Sequence, residues 1–216
     1  MTAGRDWLAW HEDYDVPGSP LAQRLAVVQG WVRRTLDHAP PGPVRAVSMC
    51  AGQGRDLIDV LRGHPRRGEV SARLVELDPR LAAAARRRAA AAGLPLVDVV
   101  TGDAGWSAAY AGLPPAGLVL ACGVFGNIGA GDVQRTIAGC ARLCAAGGTV
   151  VWTRGRRAPD LIPRICGWFA QQGFELAGLS DPGPSWVVGA HRRTGPPGPP
   201  PAGDRLFTFG PRPGSR

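Results

Sequence analysis

The sequence predicts an α/β fold: a doubly wound, seven-stranded, mostly parallel sheet with an antiparallel C-terminal hairpin and an N-terminal helical cap. Three observations predict it. After Pro43, short apolar runs alternate with helical runs five times, the pattern of β-then-α units in series. The first unit turns at Gly52-Gln53-Gly54, and a strand that reverses straight into a helix leaves no room for a β-carbon. The last two apolar runs, 174–179 and 186–191, are joined by Ser180 to Ser185. A parallel crossover needs a dozen or more residues, so these two strands pair antiparallel.

The elements follow in order. Trp7, Trp10 (or His11) and Tyr14 are spaced to share one helical face, which either docks on the core or covers a pocket. Val16-Pro17-Gly18 ends that segment, and Ser19-Pro20 suits an N-cap followed by proline at the first helical position. Leu21, Leu25, Val28, Val32 and Leu36 make an amphipathic helix ending near His38. The central strands are expected at 44–49, 73–77, 96–100, 117–122 and 149–153. Helices are expected at 55–62, after Asp78-Pro79, after strand four and over 159–172. Asp78 is the expected cap of the second of these, and Gly93 its end. Residues 1–43 thus form the cap and 44–193 the α/β domain. Residues 194–216 form a proline-rich linker and a short strand, Arg205 to Phe209, packed on the same domain.

A length of 216 residues allows one such domain with a well-buried core. The hydrophobic fraction of 44% predicts a globular protein, and no run approaches the roughly 18 apolar residues of a membrane helix. The acidic N-terminal stretch lacks a signal pattern, so a cytoplasmic protein is expected. All 25 basic residues are arginine, and the net charge is +8. The arginines are scattered along the chain, which argues for a solvated surface rather than a nucleic-acid face. The five cysteines form no C-x-x-C pair, so reduced thiols are expected and a metal site is not.

Ligands of an open α/β sheet sit beyond the carboxyl ends of its strands. Strand one ends in Cys50-Ala51-Gly52-Gln53-Gly54, strand two in Glu76-Leu77-Asp78, strand three in Asp103-Ala104, strand four in Cys122-Gly123. The glycine turn admits a ligand to backbone amides at a helix N-terminus. A carboxylate at Glu76 can accept both hydroxyls of a ribose, and one at Asp103 the exocyclic amine of an adenine.

Over Val44 to His191 the chain resembles the class I S-adenosylmethionine-dependent methyltransferases, with their Rossmann-like fold. The resemblance rests on VSMCAGQGRD, VELDP, TGDA and the terminal hairpin. It implies that Gly52 and Gly54 shape the turn under the methionine part, Glu76 holds the ribose, Asp103 the adenine amine, and Leu77 and Ala104 flank the adenine. Cys50 stands where the family has its first glycine, and Ser48 where it has an acid two residues earlier. The methionine ammonium must then be held otherwise: by backbone carbonyls of Cys50 and Cys122, by Asp56, or by the N-terminal segment. A nicotinamide dehydrogenase is disfavoured, since Leu57 replaces the third small residue of the dinucleotide fingerprint.

The expected activity is methyl transfer to an O or N atom of a small-molecule acceptor, by a monomer or homodimer. An RNA or DNA methyltransferase and a non-catalytic partner subunit that binds the cofactor are the rivals. The segment after strand four, ACGVFGNIG, lacks the Asn/Asp-Pro-Pro-aromatic motif tied to amino groups on bases. Phe125, Asn127 and Arg154 are candidate acceptor contacts. His11 is the candidate general base, with Tyr14 a second catalytic candidate and Arg156 and His191 further polar candidates at the upper sheet edge.

Overall fold

A computed structural model describes residues 12–156, 158–181, 185–196, 198–199 and 203–209. Trp7, Trp10 and His11 lie outside the described residues. Among the described residues, a 3₁₀ turn, Asp13–Asp15, precedes helix α1, Pro20–His38. Ser19 caps α1 as its sequence predicts: its Oγ accepts from the N–H of Ala22 at 3.0 Å, and its hydroxyl donates to the carbonyl of Asp13 at 2.6 Å.

The sheet has seven strands: β1 Val44–Met49, β2 Val70–Glu76, β3 Val97–Thr101, β4 Ala116–Ala121, β5 Cys144–Gly155, β6 Phe174–Leu179 and β7 Trp186–Arg193. Their order is β3-β2-β1-β4-β5-β7-β6. The first five run parallel, and β7 lies antiparallel between β5 and β6. Helices α2 (Arg55–Gly63), α3 (Pro79–Ala91), α4 (Ala130–Leu143) and α5 (Ile162–Gln171) complete the α/β units.

Two apolar layers flank the sheet. One packs Val28, Val32 and Leu36 of α1 with Leu57, Ile58 and Leu61 of α2 and the alanines of α3. The other packs Val133, Ile137 and Cys140 of α4 with Ile165 and Phe169 of α5. Asp78 caps α3, accepting from the N–H of Arg80 at 2.9 Å.

Several boundaries differ from expectation. β5 begins at Cys144, because α4 runs into the strand without a polar loop; Gly148 fits there because a β-carbon would lie 2.8 Å from the carbonyl oxygen of Ala116. α5 begins at Ile162, where Asp160 Oδ1 accepts the N–H of Ile162 at 3.0 Å. The C-terminal strand is reduced to one bridge, Arg205 with Trp106. His191 is not at the upper edge: it is buried, stacked on Phe169 with centroids 4.1 Å apart, and accepts at Nδ1 from Trp152 Nε1 at 3.1 Å. No helix among the described residues is long and apolar enough to cross a membrane.

Many arginines serve the fold. Arg66 donates to the carbonyls of Leu36, Ala39, Pro40 and Gly42, pinning the linker between α1 and β1. Arg67 does the same for Ala92 and Gly93, and Arg86 for Val99. Each guanidinium has five donors in a fixed fork, which suits it to satisfying several carbonyls at once.

Candidate active site

A cavity of about 520 Å³ opens at the carboxyl ends of β1, β2 and β4. Its floor is the turn after β1. Cys50, Gly52 and Gly54 there have φ of 51°, 56° and 69°. The left-handed region costs an L-residue roughly 1–2 kcal/mol, so Cys50 adopts a glycine's conformation at a price in strain. A β-carbon on Gly54 would sit 2.6 Å from Ile58 Cδ1 and 2.8 Å from Leu74 Cδ2. Glycine is thus required by φ, while a β-carbon would displace the tips of two side chains.

Glu76 bridges the first and second turns. Its Oε2 accepts from the N–H of Gly52 at 2.7 Å and its Oε1 from the N–H of Asp78 at 2.9 Å. The carboxylate is only 8% exposed and lines the cavity. Beyond it, Leu77 stands 63% exposed on the rim.

Asp56, in the first turn of α2, is 9% exposed and also lines the cavity. Its Oδ1 accepts from the N–H of Leu57 at 2.9 Å. Burial pushes its carboxyl up to about 6, with nearby Asp59 adding to the effect. A buried carboxylate facing a cavity from a helix N-terminus is suited to a cationic ligand group.

α1 brings Arg24, Leu25 and Val28 to the wall of the same cavity. Tyr14 lies among them, its phenol raised above its ordinary value by burial despite a hydrogen bond from Arg24. Arg55 covers the Tyr14 ring at 5.5 Å and forms a two-pronged pair with Asp15 at 2.6 and 2.8 Å. The thiols of Cys50 and Cys122 are both pushed well up by burial and stay protonated. Gly123 donates to Thr153 Oγ1 at 2.7 Å, which fixes the turn after β4.

The structure therefore brings Tyr14, Cys50, Ala51, Asp56, Glu76, Leu77, Asp78 and Cys122 around one cavity. It places other expected residues elsewhere. Ala104 is buried within the core, and Asp103 pairs with Arg205 at 2.6 Å while accepting from the N–H of Gly105 at 2.8 Å. Phe125 is fully buried against Trp152 and Phe169. Asn127 Nδ2 donates to the carbonyl of Gly123 at 2.6 Å, and Arg154 to that of Phe125. These three hold the β4–α4 loop together instead of lining the cavity.

Sequence reading missed Arg24, Thr153 and Phe209 as cavity residues. Arg24 had a signal: it sits one helical turn before Val28, at the margin of the apolar stripe of α1. Phe209 had none, since a residue so far along the chain reaches the site only through tertiary contacts.

No family model and no curated protein matches the chain. Solved structures do. An O-methyltransferase family protein from Burkholderia thailandensis superposes with a TM-score of 0.64 at 18% identity, over 80% of this chain and 56% of that one. Magnesium protoporphyrin IX methyltransferase from Synechocystis, with bound S-adenosylmethionine, gives 0.63 at 15% identity over 84% and 82%. A TehB-like methyltransferase from Corynebacterium glutamicum gives 0.56 at 18% over 80% and 95%. The chain thus spans little more than half of the Burkholderia protein and most of the other two. With the strand order above, these likenesses give it the Rossmann-like fold of the class I methyltransferases.

Proposed function

We propose that this chain is an S-adenosylmethionine-dependent methyltransferase acting on a small-molecule acceptor. One observation carries the reading. One cavity at the strand ends is lined by two buried carboxylates, Asp56 in the first turn of α2 and Glu76 at the end of β2. Two carboxylates suit a ligand that carries both an ammonium and a ribose. The volume falls within the roughly 300–1,000 Å³ range of small-molecule sites.

Asp56 would pair with the methionine ammonium, taking the place of the acid that Ser48 does not supply. Arg24 offers its guanidinium to the carboxylate. Glu76 would accept the ribose hydroxyls with the lone pairs its two amide partners leave, and Leu77 offers an apolar face to the base. The bound cofactor supplies an electrophilic methyl group, and alignment of acceptor and sulfonium is then the main requirement. Tyr14, at the α1 wall, keeps its proton and so serves as a hydrogen-bond donor that orients an acceptor. His11 remains the proposed general base where the acceptor is protonated.

The small-molecule assignment is supported by where the arginines go. Arg66, Arg67 and Arg86 direct donors at backbone carbonyls, so these three serve the fold, and the arginines are scattered along the chain rather than gathered in one run. The test is calorimetry followed by label transfer. S-adenosylmethionine and S-adenosylhomocysteine should bind the wild type, and labelled methyl should move to the low-molecular-weight fraction of an extract. Label in RNA or DNA would replace the acceptor class. Tight cofactor binding with no transfer to any fraction would make the chain a cofactor-binding subunit. Absence of binding would sink the reading altogether.

A further inference from the structure

The segment Asp204–Phe209 crosses the sheet's upper edge as a strap. Its first half is tied by backbone bonds: the N–H of Ser107 donates to the carbonyl of Asp204 at 2.9 Å, and that of Leu206 to the carbonyl of Gly105 at 2.7 Å. The N–H of Thr208 then donates to Asp132 Oδ2 at 3.0 Å, at the start of α4. Arg205 pairs with Asp103 at 2.6 Å and lies over the Trp106 ring at 4.9 Å. Leu206 and Phe207 are buried, so the strap belongs to the core. Gly105 is shaped for it, since a β-carbon there would stand 2.4 Å from the carbonyl oxygen of Phe207.

What this anchoring achieves lies at its end. Phe209 follows Thr208 and, like Leu77, lines the cavity; its ring is 41% exposed and edge-on to Phe207 with centroids 5.5 Å apart. A half-exposed aromatic ring at a cavity mouth, held by a buried anchor, is a stacking surface for a planar ligand group. On the reading above, Asp56 and Arg24 take the amino-acid part of the ligand, which leaves Leu77 and Phe209 as the apolar lining for the planar group.

We propose that the C-terminal strap is part of the cofactor site, with Phe209 the apolar wall against the nucleobase and the Asp103–Arg205 pair its fastening. This rests on the reading of the cavity as an adenosyl site. Asp103 on this account acts through the strap and is a positioning residue.

The test compares S-adenosylhomocysteine with adenosine by calorimetry on the full chain. Phe209→Ala should weaken both ligands by the same factor, roughly five- to thirtyfold, with the melting temperature lowered only slightly by loss of the edge contact with Phe207. Phe209→Trp should restore binding. Arg205→Ala should weaken both ligands by a smaller factor, through a loosened strap. Unchanged affinity in Phe209→Ala would overturn the assignment, as would a loss confined to S-adenosylhomocysteine. Tighter binding in Arg205→Ala would make the ion pair a competitor of the base and equally overturn it. Failure of the wild type to bind either ligand would instead defeat the underlying cofactor reading, so the two failures are separable.

Discussion

The two ends of the cavity are built by different means. The amino-acid end is mostly local: the Cys50–Gly54 turn and Asp56 come from one stretch of chain, joined by Tyr14, α1 and Cys122. The nucleoside end is assembled across the fold, from Glu76 and Leu77 on β2 and from a strap about 100 residues beyond the Asp103 that it grips. Local turns trade strain for position, as the left-handed Cys50 does. The strap trades chain entropy for position, and offsets it with two buried apolar side chains.

Glu76 is where the two designs meet, and its removal should have the largest effect. Glu76→Ala leaves the amides of Gly52 and Asp78 without their partner. An unsatisfied buried donor costs about 1–3 kcal/mol, so urea denaturation should show a loss on the order of 2–4 kcal/mol. Calorimetry should show S-adenosylmethionine affinity down by roughly a hundredfold or more, since ribose contacts and turn geometry go together. A variant that folds with normal stability and binds normally would dissolve the link between the ends.

Two glycines separate the ends next. Gly105→Ala sets a β-carbon against a backbone oxygen, which cannot turn aside, so the strap should be expelled and cofactor affinity fall about tenfold. Gly54→Ala meets the tips of Ile58 and Leu74, which can shift, but its φ of 69° remains unfavourable. It should cost about 1–2 kcal/mol of stability. Limited proteolysis distinguishes them: only Gly105→Ala should release the C-terminal segment.

The unequal construction also decides what could be read from the sequence. The β1 turn, the Asp78-Pro79 cap and the antiparallel hairpin were legible because their signals are short-range: glycine φ, capping chemistry and crossover length. The placement of Phe125, Asn127 and Arg154 was not, because whether a loop side chain faces a cavity or its own loop depends on neighbours that the sequence does not order. Phe125 turns into the Trp152–Phe169 cluster, and Asn127 and Arg154 satisfy the carbonyls of that same loop. RLFTF reads as a strand by alternation, yet the edge beside it offers only one bridge. Asp103 was legible as a carboxylate at a strand end, while Arg205, its partner, was not.

Asp56 sharpens the comparison through pH. Its carboxyl is raised from 3.8 to about 6. The folded state therefore holds this proton more tightly than the unfolded chain, and stability is lost as pH rises from about 4 through 6. The shift corresponds to roughly 3 kcal/mol. His191 runs the other way: burial lowers it from 6.5 to about 4, so stability is lost as pH falls across that window, by a similar amount. The two contributions oppose each other in the wild type. Asp56→Asn should be more stable than the wild type at pH 7, and its stability should fall steadily from pH 6.5 to 4 as His191 is left unopposed. Its affinity for S-adenosylmethionine should drop about five- to tenfold at pH 7 and lose its dependence on pH near 6. Equal pH profiles for the two proteins would remove Asp56 from the ammonium site.

Tyr14 should matter least to binding and is most informative about chemistry. Its phenol is raised above its ordinary value of 10, whereas a general base works best with a pKa near the operating pH. Tyr14→Phe should therefore leave cofactor affinity within about threefold and lower kcat by less than about tenfold, with the pH–rate profile unchanged in shape. A base would behave differently: its loss would remove a limb of the profile and cost roughly 10²–10⁴ in rate. Since Arg24 donates to the same oxygen, an anionic phenolate is the one alternative its surroundings partly favour. A missing limb in Tyr14→Phe would show that Arg24 outweighs burial at this oxygen, and would move proton abstraction onto the α1 wall of the cavity.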